Sequence, residues 1–205
     1  METKMKKQTT AKRTAGIRRN TSETQISINL NIDGSGKHSI ETGMPFLNHM
    51  LELFARHSLI DLKLKAAGDL EVDYHHTVED VGLALGSAID KALGSRKGIV
   101  RYGASYIPMD ESLARVVVDL GGRPYLVTKM ACKKKKILEF ELSLLQEFFQ
   151  AFIVQARMNL HIEQFYGVEA HHAWEAVFKG WARAMRAACA IDPRETNVPS
   201  SKGKI

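Results

Sequence analysis

The chain has 205 residues, 44% hydrophobic and 25% charged, enough to bury a core in one domain or two fused small ones. No apolar run approaches the roughly 18 residues of a membrane span, and no apolar stretch follows the basic N-terminus as a secretory signal would require. The net charge of +6 would suggest a nucleic-acid partner, but residues 1–20 hold seven basic side chains (Lys4, Lys6, Lys7, Lys12, Arg13, Arg18, Arg19) against Glu2, so the whole excess sits in that arm.

Residues 1–12 are therefore expected to form a solvated basic tail, Lys-rich rather than Arg/Ser-rich like a transit peptide, with no nucleic acid and no membrane as partner. Cys132 and Cys189 have neither metal-like nor redox spacing and read as reduced thiols of a cytoplasmic protein.

Ile26, Ile28, Leu30 and Ile32 alternate, which predicts a strand broken by Asp33-Gly34. A second strand near His38–Glu41 is expected to close a hairpin with it. Pro45 can open a helix carrying Phe46, His49, Met50, Leu53 and Phe54. Ile60, Leu62 and Leu64 alternate again. Then "VDYHHTVEDVG" begins at Val72, and the helix-like "TVEDVGLALGSAIDKAL" runs on from it.

The second part repeats that order. Strands are predicted over Ser105–Met109, Ala114–Leu120, Tyr125–Met130 and Ile137–Leu142, a helix from about Ser143 to Arg157, and a short strand at Leu160 and Ile162. "VEAHHAWEAVF" from Val168 then opens the helix "AWEAVFKGWARAMRAACA". The run Lys133 to Lys136 reads as a solvated loop. The pattern is an α+β chain of two duplicated half-domains, residues 13–98 and 99–193, each a mainly antiparallel sheet covered by helices. Residues 194–205 form a polar tail.

Each half carries His-His-x-x-Glu. One such pair would ordinarily be surface or helix-cap chemistry. Two at equivalent places in a duplicated chain point to metal, because they supply four imidazoles and two carboxylates, a set that suits a pair of borderline divalent ions. Neighbouring histidines on a helix diverge by roughly 100°, so one helix offers one imidazole to each of two sites. His76 and Glu79 are three apart and His75 and Glu79 four apart, both compatible with a shared face. The spacing is not that of H-E-x-x-H, so hydrolysis does not follow. "FLNHMLELF" and "LLQEFFQAF" also match, which sets His49 opposite Glu147.

The stretches "RRNTSET", "GMPFLNHMLELFARHS", "GDLEVDYHHTVEDVGLALG", "KGIVRYG", "PMDESL", "DLGGRPYL", "EAHHAWEAVFKGWARAMR" and "VPSSKG" make the chain resemble the imidazoleglycerol-phosphate dehydratase family from about Arg13 to Lys204. The resemblance implies a fold like the second domain of ribosomal protein S5, two Mn²⁺ per active site, and a 24-mer with sites where subunits meet. It implies a hydro-lyase of histidine biosynthesis that converts imidazole glycerol phosphate to imidazole acetol phosphate.

Carried over by motif, one ion would take His49, His76, Glu79 and His171, and the other His75, His172, Glu175 and the residue at 147. At that last position this chain has Glu147 where the family pattern "EHFF" has His. Glu23 in "TSET" matches the family's substrate-contacting glutamate and is the expected proton shuttle, with Glu175 the alternative. His57 and the ligands His49, His75, Glu79 and His171 would also meet substrate. Arg101, Arg123, Lys179, Ser200, Ser201 and Lys202 match phosphate contacts, where Arg binds bidentately and Lys as a point charge. A non-catalytic metal-binding shell would explain the histidines but not these phosphate-type residues.

Overall fold

The computed structural model describes residues 12–205, so all but the last residue of the expected tail lies outside the described residues. Thr14–Asn20 forms β1, which the alternation argument missed because bulky apolar residues do not recur along it. It pairs antiparallel with β2, Thr24–Asn31, whose Ile26, Ile28 and Leu30 are buried.

The expected hairpin between β2 and His38–Glu41 does not form. That segment, β3, is joined through α1, Pro45–Ser58, to β4, Asp61–Gly68, and pairs with it in parallel. The reason lies in the loop before β3. Asp61 at the start of β4 accepts the amide N–H groups of Ser35 and Lys37 at 2.8 and 2.9 Å, which holds the loop beside β4. β4 also pairs antiparallel with β2, giving the order β1-β2-β4-β3. The long helix α2, His75–Leu93, packs on β1, β2 and β4.

The second half repeats the plan. β5, Tyr102–Met109, and β6, Ser112–Asp119, form a hairpin with a two-residue turn. β7, Tyr125–Lys129, follows. The single strand expected at Ile137–Leu142 is instead a miniature hairpin of β8, Lys136–Ile137, with β9, Phe140–Glu141. Leu138 reverses the chain there at φ 51° and is exposed, so no continuous edge survives for a sheet to extend. After α3, Leu144–Ala156, β10, Asn159–Tyr166, lies antiparallel to β6 and parallel to β7. The order β5-β6-β10-β7 reproduces the first sheet, strand for strand and sense for sense. The helix α4, Ala170–Cys189, packs on β5, β6 and β10.

The two halves are interlocked. The crossover helix of each half packs on the long helix of the other, α1 on α4 and α3 on α2. Helices thus fill the space between the sheets and share one core. Trp181 on α4 is wholly buried, with its ring stacked 3.9 Å from that of Phe54 on α1 and edge-on at 4.8 Å to Phe152 on α3. Gly82 and Gly86 let α3 approach α2 closely, because a Cβ at Gly86 would stand 2.3 Å from the Phe152 carbonyl oxygen. The cross-packing brings His49 of α1 to the start of α4, and Glu147 of α3 to the start of α2.

Candidate metal centre and active site

Both histidine pairs occupy the first turn of a long helix, and an acid two positions before each pair ties the turn down. Asp73 accepts the backbone N–H of His75 at 2.7 Å, and Glu169 accepts that of His171 at 3.3 Å. Free N–H groups at a helix start need such acceptors. The first histidine of each pair then looks along the helix to its own glutamate. His75 Nε2 lies 3.6 Å from Glu79 Oε2, and His171 Nε2 lies 3.3 Å from Glu175 Oε1.

The second histidine turns away. The rings of His75 and His76 are 6.2 Å apart with planes at 83°. His76 Nδ1 lies 3.0 Å from Asp69 Oδ2, with Glu23 Oε2 at 3.9 Å. His172 Nδ1 lies 2.7 Å from Glu111 Oε2. Asp69, first, and Glu23 raise the pKa of His76; Glu111 does so for His172. Hydrogen bonds from His172 and then from the Glu169 backbone hold the Glu111 carboxyl down to about 2.

His49 completes one group. Its Nε2 is 2.8 Å from Glu175 Oε1, and its ring is 5.3 Å from that of His171. One donor atom from each of His49, His171 and Glu175 lies within 4.8 Å of the others, the only such group of three His, Cys, Asp or Glu among the described residues. Two imidazoles and a carboxylate converging in this way fit a borderline divalent ion. Burial opposes the charge of Glu175, but hydrogen bonds from Lys179 and His49 outweigh it and hold the carboxyl down to about 2.

The pseudo-equivalent residues His75 and Glu147 line a common cavity of about 580 Å³ with Asp73, Glu139 and Glu141. Glu175 stands with His49 and His171, and Glu79 stands with His75. The i,i+4 pairing prevails because four residues bring a side chain almost directly above the first on a helix of 3.6 residues per turn.

The remaining candidates fall into two neighbourhoods. Lys179 donates to Glu175 Oε2 at 2.5 Å. His57 lies near it, its pKa lowered by burial and then by the charges of Lys179 and Arg183. Arg101 lies elsewhere, at the exit from α4 and β6. Its Nε and Nη2 grip Asp119 at 2.7 and 3.1 Å, and its Nη1 donates to the Pro199 carbonyl at 2.8 Å. It thereby tethers the tail that carries Ser200, Ser201 and Lys202. That tail returns to the turn before the exposed Arg123, since a Cβ at Gly122 would stand 2.9 Å from Ile205.

The roles of Asp69 and Glu111 against the histidines were not read from the sequence. One signal was available: Glu23-Thr24 and Glu111-Ser112 are matching acid–hydroxyl pairs, each at the turn that opens the second strand of its half.

A family model for imidazoleglycerol-phosphate dehydratase matches residues 42–185. The imidazoleglycerol-phosphate dehydratase of Methylorubrum extorquens is 53% identical over 194 residues, covering 94% of this chain and all of that one. Among solved structures, the imidazoleglycerol-phosphate dehydratase of Staphylococcus aureus matches with a TM-score of 0.79 and 41% identity over 87% of this chain and 99% of that one. The enzyme from Pyrococcus furiosus, in complex with (S)-C348, matches with a TM-score of 0.80 and 35% identity over 92% of this chain and all of that one.

Proposed function

Because the chain belongs to the imidazoleglycerol-phosphate dehydratase family, we propose that its hydro-lyase reaction in histidine biosynthesis runs on two Mn²⁺ per site, held by the duplicated histidine motifs. The reaction removes water from imidazole glycerol phosphate. The observation that carries the metal reading is the convergence of His49, His171 and Glu175 from two helices far apart in sequence.

One ion is assigned to His49, His76, Glu79 and His171, and the other to His75, Glu147, His172 and Glu175. Bound there, divalent ions would supply Lewis acidity to the reaction. Glu23 moves the proton at the substrate carbon one removed from the ring, while the carbon beside the ring gives up its hydroxyl, and the two leave as water. Glu23 is half-exposed at a turn, and among the described residues its cation partner is His76 at 3.9 Å. Glu175 is the weaker choice, since Lys179 and His49 hold its carboxyl down to about 2 and leave little basicity. The phosphate meets Arg101, Arg123, Lys179, Ser200, Ser201 and Lys202, and His57 contacts substrate beside Lys179.

His76 and His172 turn away from their own helices' glutamates, so four-ligand sites call for a neighbouring chain. This supports a homo-oligomer with shared sites, 24 subunits by family resemblance. The cytoplasm is the compartment we assign; no helix among the described residues is long and apolar enough to cross a membrane.

The test is to strip metal, add imidazole glycerol phosphate and assay the ketone product. Turnover is expected to vanish and to return with Mn²⁺. A chelated protein that keeps full turnover excludes the metal reading, and a metal-loaded protein without turnover favours a non-catalytic shell.

A further inference from the structure

We propose that Asp69 and Glu111 are positioning residues that fix the tautomer of His76 and His172, and that the duplicated turn acids Glu23 and Glu111 have divided two tasks between them. The inference rests on the metal assignment above.

A carboxylate only accepts hydrogen bonds, so an imidazole nitrogen facing it must carry the proton. Asp69 Oδ2 is 3.0 Å from His76 Nδ1 and Glu111 Oε2 is 2.7 Å from His172 Nδ1. In both rings the proton is thus placed on Nδ1 and the lone pair on Nε2, the atom left for an ion; at His172 the exposed Asp110 Oδ2 stands 3.7 Å from Nε2, beyond hydrogen-bond distance. An acid behind a metal-binding histidine also orients its ring and raises its basicity.

The acids come from different places in the two halves. Glu23 and Glu111 each immediately precede the second strand of their sheet, at Thr24 and Ser112. In the second half the turn is tight, with Met109 opposite Ser112, and Glu111 reaches His172 directly. In the first half the last paired residues are Asn20 and Gln25, so the turn is two residues longer. Glu23 stands back at 3.9 Å, and Asp69, from the loop between β4 and α2, takes the histidine instead. The position ninety-six residues after Asp69 is Phe165, which cannot accept a hydrogen bond, so the second half has no such substitute. Asp69 therefore releases Glu23 for substrate, while Glu111 is committed to its histidine.

A second network holds Glu23 in that stance. Asp80 is buried on α2 and accepts from the Thr24 hydroxyl at 2.5 Å and from Arg19 Nε at 2.8 Å. It pins the strand that follows the turn. Position 176, its counterpart on α4, is alanine.

The experiment titrates Mn²⁺ alone into metal-free protein and reads ions per subunit and dissociation constants, with kcat measured separately at saturating metal. Asp69→Ala and Glu111→Ala are expected to weaken one ion about 10–100-fold. Asp69→Asn and Glu111→Gln should weaken it less, because an amide oxygen still accepts the N–H. These near-isosteres carry the test if the alanine variants do not fold. Glu23→Gln should lower kcat and leave the Mn²⁺ constants unchanged.

His76→Ala keeps the two readings apart. If it still binds both ions tightly, the metal assignment itself fails. If it loses one ion while Asp69→Ala and Asp69→Asn bind like wild type, the positioning role is overturned. Equal weakening of Mn²⁺ binding by Glu23→Gln and Glu111→Gln would overturn the division of tasks.

Discussion

At the residue scale the informative position is Glu147, in the first turn of α3, exposed and lining a cavity with His75. It stands where pseudo-symmetry puts His49 in the other half. Glu147→Ala is expected to weaken one ion selectively and depress kcat while the other ion stays bound. Glu147→His should retain activity and move metal preference toward softer ions. Metal counting per subunit decides: two tightly held ions in Glu147→Ala would remove it from the ligand set. Arg101 raises a different question, since Asp119 and the Pro199 carbonyl already engage its donors. Arg101→Ala should raise KM by about 10–100-fold, equivalent to the ~1.5–3 kcal/mol of a charge-assisted hydrogen bond, with a smaller effect on kcat. Arg101→Lys should fall between, keeping the charge and losing the fork. Unchanged steady-state kinetics in both would detach Arg101 and its tethered tail from substrate binding.

Among the elements, the contact that sets the second half-site is the one between α2 and α3. It depends on two glycines one turn apart, Gly82 and Gly86, whose missing side chains admit the Phe148 and Phe152 carbonyls. A methyl at position 86 meets backbone rather than a movable side-chain tip, so the helices must separate. Gly86→Ala should therefore cost about 1–3 kcal/mol despite alanine's better helix propensity. Denaturant unfolding of the metal-free protein measures it. Because α2 carries His75 and α3 carries Glu147, the same variant should weaken the ion they share more than the ion at His49. Equal or higher stability in Gly86→Ala would mean that the helices have room to spare.

For the whole molecule, the proposed donors are spread over four helices, and His76 and His172 face Asp69 and Glu111 rather than the glutamates of their own helices. Metal should then drive assembly, because anything that binds only the associated form stabilises association. Chelation is expected to give smaller species by light scattering, and Mn²⁺ to restore the full mass. A chelated protein of undiminished mass would mean that the sites are not shared between subunits. Deleting residues 1–12 should leave turnover intact. Among the described residues, Arg13 pairs with Asp33 and donates to the Cys189 carbonyl, which anchors the chain just after the deleted segment. A severe loss of turnover would put the arm in the site.

The sequence by itself determined the duplication, the α+β class and the family. Those signals are local: the alternation at Ile26, Ile28 and Leu30, the repeat of His-His-x-x-Glu, and the His49–Glu147 correspondence are periodicities along the chain. Tertiary structure alone decided which strand lies beside which and which acid serves which histidine. His38–Glu41 looked like a hairpin partner for β2, but Asp61, twenty or more residues further on, draws its loop to β4. Glu79 is compatible with either histidine by spacing, and the helix turn in three dimensions favours His75. Asp69 and Glu111 have no sequence period linking them to His76 and His172, because those contacts are made across loops and turns. Hydrophobic pattern fixes which face of an element is buried, but a polar contact between distant segments depends on how those faces pack.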